Sequence, residues 1–268
     1  MKILITGGNG NISKMIINNL SNIYNITALS RDKLNLLNYN ELYNYLSENT
    51  FDILIHTAIV GGRRTKEETS DVFYNNVIMF ENILKFADKF KKIINFDSAA
   101  IYDRSTDILN RKESNLNTIP IDYYGFSKYV IHERSLQYTN IYNFRIYNIF
   151  HINEEPDRFI KSCFLAKQNN LILSIIEDKY FDFVYETDFI KILNYYLINS
   201  NLEKTINICY NEKYKLSDIA KLIDPNIKLN IIKKESTNNY TGDGTLLTNL
   251  NIDLLGLKES LVKYSLLI

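Results

Sequence analysis

The chain has 268 residues, with 31 basic and 31 acidic side chains and three histidines, a length that fits one large α/β domain, or a nucleotide-binding core plus a small lobe. Balanced charge without a long basic run excludes any electrostatic reason to expect nucleic acid or a membrane surface as partner, and leaves a small soluble ligand. Two cysteines, Cys163 and Cys209, form neither a disulfide framework nor a thiolate metal site and read as small core residues, and the histidines have no metal spacing. In chain order, Met1 leads straight into an apolar strand, Lys2 to Ile5, with no charged-then-apolar leader. No apolar stretch approaches the length of a membrane span, so a cytoplasmic protein is expected. Thr6-Gly7-Gly8-Asn9-Gly10 follows the strand, and an amphipathic run from Lys14 to Leu20 follows that. Glycines that let the backbone turn tightly ahead of a helix N-terminus make a cradle for a pyrophosphate. A second strand, Ile26 to Leu29, ends in Ser30-Arg31, and a helical spacing covers Glu41 to Leu46.

The third strand, Ile53 to Thr57, runs into Ala58 to Gly62, and helical periodicity then spans Val72 to Phe90. The fourth, Ile93 to Phe96, is followed by Asp97-Ser98, and a helix is predicted over Tyr123 to Tyr138. On that helix Tyr124 and Lys128 are four residues apart and share a face. An ammonium beside a phenol lowers a pKa that is ordinarily about 10, which makes the tyrosine usable for proton transfer near neutral pH. After the strand Tyr142 to Tyr147 the alternation loosens, with helices at Phe159 to Lys167 and Thr187 to Leu197 and a last strand at Thr205 to Ile208. Strand-length apolar runs alternating with amphipathic helices predict an α/β fold, a Rossmann-type doubly wound parallel sheet with a small C-terminal α/β substrate lobe. Residues 1–150, continued by about 184–210, are assigned to the dinucleotide-binding core, and 151–183 with 211–268 to the interleaved lobe. Ligands in such sheets bind outside the carboxyl ends of the strands, where Gly7 to Gly10, Ala58 to Gly62 and Ser98 all fall.

With those residues in place, the chain resembles the extended short-chain dehydrogenase/reductase family, in its branch of nucleotide-sugar 4-ketoreductases and epimerases similar to GDP-fucose synthase. Thr6 to Ser13 follows the family's T-G-x-x-G-x-x-G pattern, Asp52 to Ala58 its third strand, and Asn75-Asn76-Val77 its helix asparagine. Ser98-Ala99-Ala100-Ile101-Tyr102 resembles its catalytic serine segment, Tyr124 to Lys128 its Y-x-x-x-K, Arg145 to Asn148 its L-R-x-x-N, and Phe181 to Asp188 its R-D-F-x-x-x-x-D. The resemblance implies Tyr124 as proton donor to a sugar oxygen, Ser98 as its hydrogen-bond partner, and Lys128 as the group that depresses the tyrosine pKa and contacts the nicotinamide ribose. It implies cofactor contacts at Gly7, Gly10, Asn11, Ile12, Ser30, Arg31, Asn35, Leu36, Thr57, Ala58, Asn76, Tyr124 and Lys128. Substrate contacts are implied at Ser98, Ala99, Tyr124, Asn148 and Arg158. A homodimer through the helices at Val72 to Phe90 and Tyr123 to Tyr138 is implied as well.

Departures from the family pattern narrow the expected reaction. Relatives that dehydrate the sugar place a carboxylate after the catalytic hydroxyl residue, and those that epimerise C3 and C5 use a cysteine two places after the serine. Here Ala99 and Ala100 stand there. Arg31 stands after the second strand where NAD-binding relatives place an acidic residue, and a guanidinium suits a 2′-phosphate. NADP is therefore expected over NAD, with Asp32 next door as the counter-argument. The expected function is NADPH-dependent reduction of the C4 ketone of a nucleotide-linked 4-keto-deoxysugar. The alternative is an NAD-dependent C4 epimerase of nucleotide sugars. Ser13 replaces the third glycine and Phe181 an arginine that meets the diphosphate in many relatives, which leaves Arg63, Arg64, Arg158 and Lys161 as candidates to neutralise it, with a solvated surface charge the alternative reading of each. His151 falls just after the Asn148 strand end, where an ordinary loop role is expected.

Overall fold

The computed structural model describes residues 1–62, 67–233 and 238–268. The first elements alternate strictly: β1 (Lys2–Thr6), α1 (Asn11–Leu20), β2 (Asn25–Leu29), α2 (Tyr39–Glu48), β3 (Ile53–His56), α3 (Ser70–Leu84) and β4 (Lys92–Ser98). Short 3₁₀ turns at Ala87–Lys89 and Ala99–Tyr102 bracket β4. Then come β5 (Ile108–Arg111), α4 (Tyr123–Ser135), β6 (Ile141–Ile146), β7 (Ile149–Phe150), α5 (Phe159–Gln168), β8 (Leu173–Glu177), β9 (Val184–Tyr185) and α6 (Glu186–Ile198). The chain ends with β10 (Thr205–Ile208), α7 (Leu216–Ile223), β11 (Leu229–Lys233), β12 (Tyr240–Gly242), α8 (Thr245–Thr248) and α9 (Gly256–Ser265).

Six strands form the main sheet in the order β10-β6-β4-β3-β1-β2. The pairings of β1 with β2 and β3, and of β3 with β4, are parallel. The chain starts at β1, goes outward to β2 and returns on the other side to β3, so the order reverses beside β1 and opens a crevice at the carboxyl ends of the strands. β4 is buried at every position, as its near-continuous apolar run requires of a central parallel strand. Its Ile93 shares one apolar cluster with Leu4, Leu54, Phe80, Ile83 and Ile141, each such side chain contributing about 1.5–3 kcal/mol by burial.

By contacts the chain divides into two compact units: Met1–Asp103, Leu116–Arg145 and Tyr196–Ile206 form one, and Arg104–Asn115, Ile146–Tyr195 and Asn207–Ile268 the other. The second unit begins after β6, close to where the alternation loosens in the sequence. It also takes Arg104–Asn115, which no apolar pattern marks as an element, because β5 pairs in parallel with the distant β12. It takes most of α6 as well, so residues 184–195, expected in the core, lie with the lobe elements. Its own sheets are the two-stranded pairs β8–β11, β5–β12 and β7–β9, built over Phe150, Phe164, Tyr185, Ile219 and Tyr264.

Two predicted helices end early. Periodicity carries the third helix to Phe90, but α3 stops at Leu84 and the chain turns, with Asn140 Nδ2 donating 2.8 Å bonds to the carbonyls of Ala87 and Phe90. The catalytic-helix candidate ends at Ser135 rather than Tyr138; the Ser135 hydroxyl donates back to the His132 carbonyl at 2.6 Å and accepts from Asn143 Nδ2 at 2.8 Å.

Candidate active site

The first unit carries a cavity of about 340 Å³ at the order reversal of the sheet. Gly7 turns there with φ +75°, and a Cβ on it would sit 2.8 Å from the Ala58 backbone, so the close approach of the first and third strand ends needs a glycine. Gly10 is the N-cap of α1 and no side chain caps that helix, whose first turn also holds no acidic residue. The amide groups of Asn11 and Ile12 therefore begin a helix whose positive dipole end no side chain of its first turn caps or neutralises. Ser13, in place of the family's third glycine, is fully buried; its hydroxyl donates to the Gly7 carbonyl at 2.8 Å and lies 2.6 Å from Thr57 Oγ1. Thr57 Oγ1 in turn donates to the Thr6 carbonyl at 2.7 Å. The serine stitches the cradle to the end of β3.

Of the expected cofactor contacts, Gly7, Gly10, Ser30, Arg31, Asn35, Leu36, Thr57 and Ala58 line this one cavity. Asn11 and Ile12 flank it. Asn76 takes a different part: its side chain is buried, with Oδ1 accepting from Val60 N at 2.8 Å and Nδ2 donating to Val60 O at 2.9 Å and to Ser127 at 3.2 Å. It braces the loop that forms the cavity wall. Asp32 also lines the cavity and accepts the Ser30 hydroxyl, a bond that holds its carboxyl below the ordinary range. Sequence reading placed Ile59 and Val60 at this end of the sheet but missed Leu34, Leu37 and Met79, which complete the apolar wall. They read as plain aliphatics of a loop and of α3, and only the fold turns them toward one space.

The candidate proton-transfer residues Ser98, Tyr124 and Lys128 also lie in the first unit. Ser98 closes β4 and caps the turn after it, its Oγ accepting from Ala100 N at 3.2 Å, which leaves the hydroxyl proton for donation elsewhere. Asp122 caps α4 by accepting from Gly125 N at 2.8 Å. A Cβ on Gly125 would lie 2.7 Å from the Ala100 carbonyl, so the glycine lets the start of α4 approach the serine turn. Tyr124 stands half-buried in the first turn of α4, its backbone N–H held by Glu68 Oε2 at 3.2 Å. Glu68 Oε1 accepts from Gly62 N at 2.7 Å. Glu68 thus ties the loop after β3 to the start of α4, a role that no motif signals.

Lys128 lies one turn further along α4, buried, with Nζ 5.8 Å from the Tyr124 ring centroid and donating to the Phe96 carbonyl at 2.5 Å. Burial pushes its pKa down to about 8, against the opposing pull of the Asp97 carboxylate. His56, also buried, is driven down to about 3 by burial first and then by the Lys128 charge, so it is neutral, with Nδ1 2.8 Å from the Thr6 hydroxyl. An ammonium beside a phenol, with a hydroxyl on a neighbouring strand end, can deliver a proton to a carbonyl oxygen and stabilise the charge that develops on it.

Asn148 and Arg158, expected at the substrate, lie in the second unit, where Arg158 Nη2 donates to Asn148 Oδ1 at 2.6 Å. Lys161 is spent on the carbonyls of Ile152 and Glu154, both at 2.9 Å. Phe181, where many relatives hold an arginine, packs its ring 5.0 Å from that of Phe183 and 5.1 Å from that of Tyr240. His151 is buried, with its pKa depressed first by that burial and then by Arg158 and Lys161. Arg63 and Arg64 lie outside the described residues. Ala99, expected at the substrate, is fully buried beside Ala100, so neither presents an acid or base.

Comparison with known proteins follows this geometry. The family model described as "NAD dependent epimerase/dehydratase family" matches residues 3–209. No curated protein matches the chain significantly. Among solved structures, a dTDP-4-dehydrorhamnose reductase from Clostridium acetobutylicum superposes with a TM-score of 0.84 at 17% identity over 100% of this chain and 99% of that one. The GDP-mannoheptose C4 reductase of Campylobacter jejuni, with NADP bound, gives 0.77 at 18% identity over 98% of each chain. The Bordetella bronchiseptica enzyme WbmG, in complex with NAD and UDP, gives 0.81 at 17% identity over 98% of this chain and 92% of that one. At these identities the likeness is one of fold. Among the described residues no helix is long and apolar enough to cross a membrane.

Proposed function

The chain belongs to the NAD dependent epimerase/dehydratase family, and from that premise we propose that it is an NADPH-dependent reductase of the C4 ketone of a nucleotide-linked 4-keto-deoxysugar. The observation that carries the reading is the buried Lys128 ammonium under Tyr124, one helical turn away and beside the Ser98 turn, with alanines where a dehydratase or a coupled epimerase needs an acid, a base or a thiol. The cradle fits a dinucleotide: an uncapped helix start for the pyrophosphate, an apolar wall for the flat rings, and a cavity of about 340 Å³. Gly7, Gly10, Asn11 and Ile12 would hold the pyrophosphate, and Ser30 with Arg31 the ribose 2′-phosphate. Asn35, Leu36, Thr57 and Ala58 would line the remainder, with Asn76 acting through Val60. When bound, the nicotinamide supplies the hydride.

Tyr124 donates its hydroxyl proton to the sugar C4 oxygen as charge builds on it. Ser98 gives that same oxygen a hydrogen bond through the proton left over from its cap. Lys128 keeps the phenolate that Tyr124 becomes from being a high-energy species, and its own position is fixed by the Phe96 carbonyl. The C4 reductases among the superposed structures, one of them with NADP bound, support the reading. We further infer a homodimer through α3 and α4, where Tyr74, Ile78 and Phe126 are exposed; light scattering on the purified chain gives the mass that decides it.

Asp32 favours the second reading, an NAD-dependent C4 epimerase, because a carboxylate at the end of β2 suits free ribose hydroxyls. Titration of the purified chain with NADPH and NADH, followed by the better cofactor with 4-keto GDP-, CDP-, dTDP- and UDP-sugars, separates the two. Consumption of NADPH with a 4-hydroxy product is the expected outcome. NAD retained through purification, with interconversion of 4-epimers and no net oxidation, overturns it in favour of the epimerase.

A further inference from the structure

Behind the catalytic corner lies a buried charge cluster that the proton-transfer reading does not use. Asp97 stands between the two residues of β4 that serve that corner, Phe96, whose carbonyl holds Lys128, and Ser98. Asp97 Oδ1 accepts from Ser98 N at 2.8 Å, and Oδ2 accepts from Arg145 Nε on β6 at 3.0 Å. The same guanidinium donates through Nη1 to the Tyr102 hydroxyl at 2.6 Å. His132, one turn beyond Lys128 on α4, places Nδ1 3.4 Å from Asp97 Oδ2 and both ring nitrogens within 3.4 Å of Arg145 Nη2. Asp97, Tyr102, His132 and Arg145 are each buried to at least 97%.

We propose that Asp97, clamped by Arg145, is a positioning residue for the reaction: it fixes the end of β4 so that the Phe96 carbonyl, which holds Lys128, and Ser98 are presented together. The inference rests on the reading of Tyr124 and Lys128 as the proton-transfer pair. The groups facing Lys128 are Asp97 on β4, neutral His56 on β3, and Tyr124 on its own helix, with His132, Arg145 and Tyr102 in the layer behind Asp97. Asp97 is the carboxylate of this set, kept ionised down to about 2 against its burial by Arg145 and His132. The Asp97 carboxylate opposes the desolvation of the Lys128 ammonium. A buried amine without that counter-charge loses its proton at lower pH, and with it the means of stabilising the Tyr124 phenolate.

The test is an NMR titration of the full chain carrying ¹³C,¹⁵N-lysine, with Lys128→Met used to assign the resonance, alongside the pH profile of kcat/KM. In Asp97→Asn, which keeps the acceptor for Ser98 N–H and removes the charge, the Lys128 titration is expected to fall by at least one pH unit. The alkaline limb of kcat/KM should move down with it, so that activity drops about fivefold or more at pH 8 and less at pH 6. Because that variant leaves a buried guanidinium unpaired, Asp97→Asn/Arg145→Gln repeats the measurement with no orphaned charge and the same downward direction. A Lys128 titration unmoved in a folded variant, or a loss of activity equal at all pH values, overturns the proposal. The NMR arm needs no substrate, so a shifted Lys128 with no ketone reduced by the wild type leaves the positioning role standing and sinks the proposed function alone.

Discussion

The proposed dinucleotide cavity and the proposed proton-transfer corner belong to one unit and are built of opposite materials. The cavity is shaped by backbone: a glycine at positive φ, an uncapped helix start, and strand ends wrapped in aliphatic side chains, with its polar groups Arg31 and Asp32 out in solvent. The corner is shaped by charge taken out of water: Lys128, Asp97 and Arg145 are all buried and answer for one another. A site made by chain geometry tolerates side-chain change at its rim and fails when the backbone is altered. A site made of buried charge fails, or changes its pH response, with one atom of a side chain. The predictions below press on that contrast.

The largest effect falls in the corner. Tyr124→Phe removes one oxygen, and it is expected to lower kcat by about 10²–10⁴, the range of general acid catalysis, while NADPH affinity, measured by fluorescence titration, stays within about twofold. A loss of cofactor binding comparable to the loss of turnover would show that the two regions are not separable. The contrast also accounts for what was legible in the sequence. The cradle is local, five consecutive residues from Thr6 to Gly10, and so are Tyr124 and Lys128, one turn apart. The strands of the first unit were readable as near-continuous apolar runs, and its helices by an apolar face recurring with the helical period. Glu68, Asp97 and Arg145 drew no attention as a group, because their partners lie from 6 to 56 positions away in the chain. β5 was unreadable for the same reason: its partner β12 lies in the last 30 residues, and four residues of mixed polarity carry no period.

Lys128→Met separates stability from function in the corner. Burial holds Lys128 down near 8 from its ordinary 10.5, so the folded chain releases that proton before the unfolded chain does. Below pH 8 the buried ammonium costs stability in full, and the cost fades as pH rises from 8 to 10.5; the shift corresponds to about 3 kcal/mol. The methionine variant is therefore expected to be inactive yet more stable than the wild type by about 1–3 kcal/mol at pH 7 in urea unfolding. The two curves should converge toward pH 10.5. A variant less stable at pH 7 would mean that the bond to the Phe96 carbonyl outweighs the desolvation of the charge.

In the cavity the same size of chemical change should do less. Ser13→Gly removes the hydroxyl that bridges the Gly7 carbonyl and Thr57 and places a glycine inside α1, a loss of about 1–2 kcal/mol in unfolding free energy. The glycine restores the family's own pattern, so cofactor affinity should change by less than about threefold. A tenfold loss would show that the Ser13 hydroxyl, and not the glycine turn alone, sets the shape of the cradle.

The smallest effect belongs to the solvent-exposed rim. Arg31 and Asp32 carry opposite charges at the end of β2, and Ser30 is bonded to Asp32, so the preference between a 2′-phosphate and free ribose hydroxyls is a contest of neighbours. Arg31→Ala is expected to weaken NADPH by about three- to tenfold and leave NADH nearly unchanged, since an exposed charge-assisted contact is screened by water and salt. Asp32→Ala should move the ratio the other way, toward NADPH, by removing the carboxylate that repels the phosphate. Titrations at 20 mM and 300 mM salt add the discriminating arm: the Arg31 effect should shrink at high salt, whereas the pH response set by Asp97 and Lys128, shielded from ions by burial, should not. If both respond equally to salt, the corner is open to solvent and the contrast between the two regions fails.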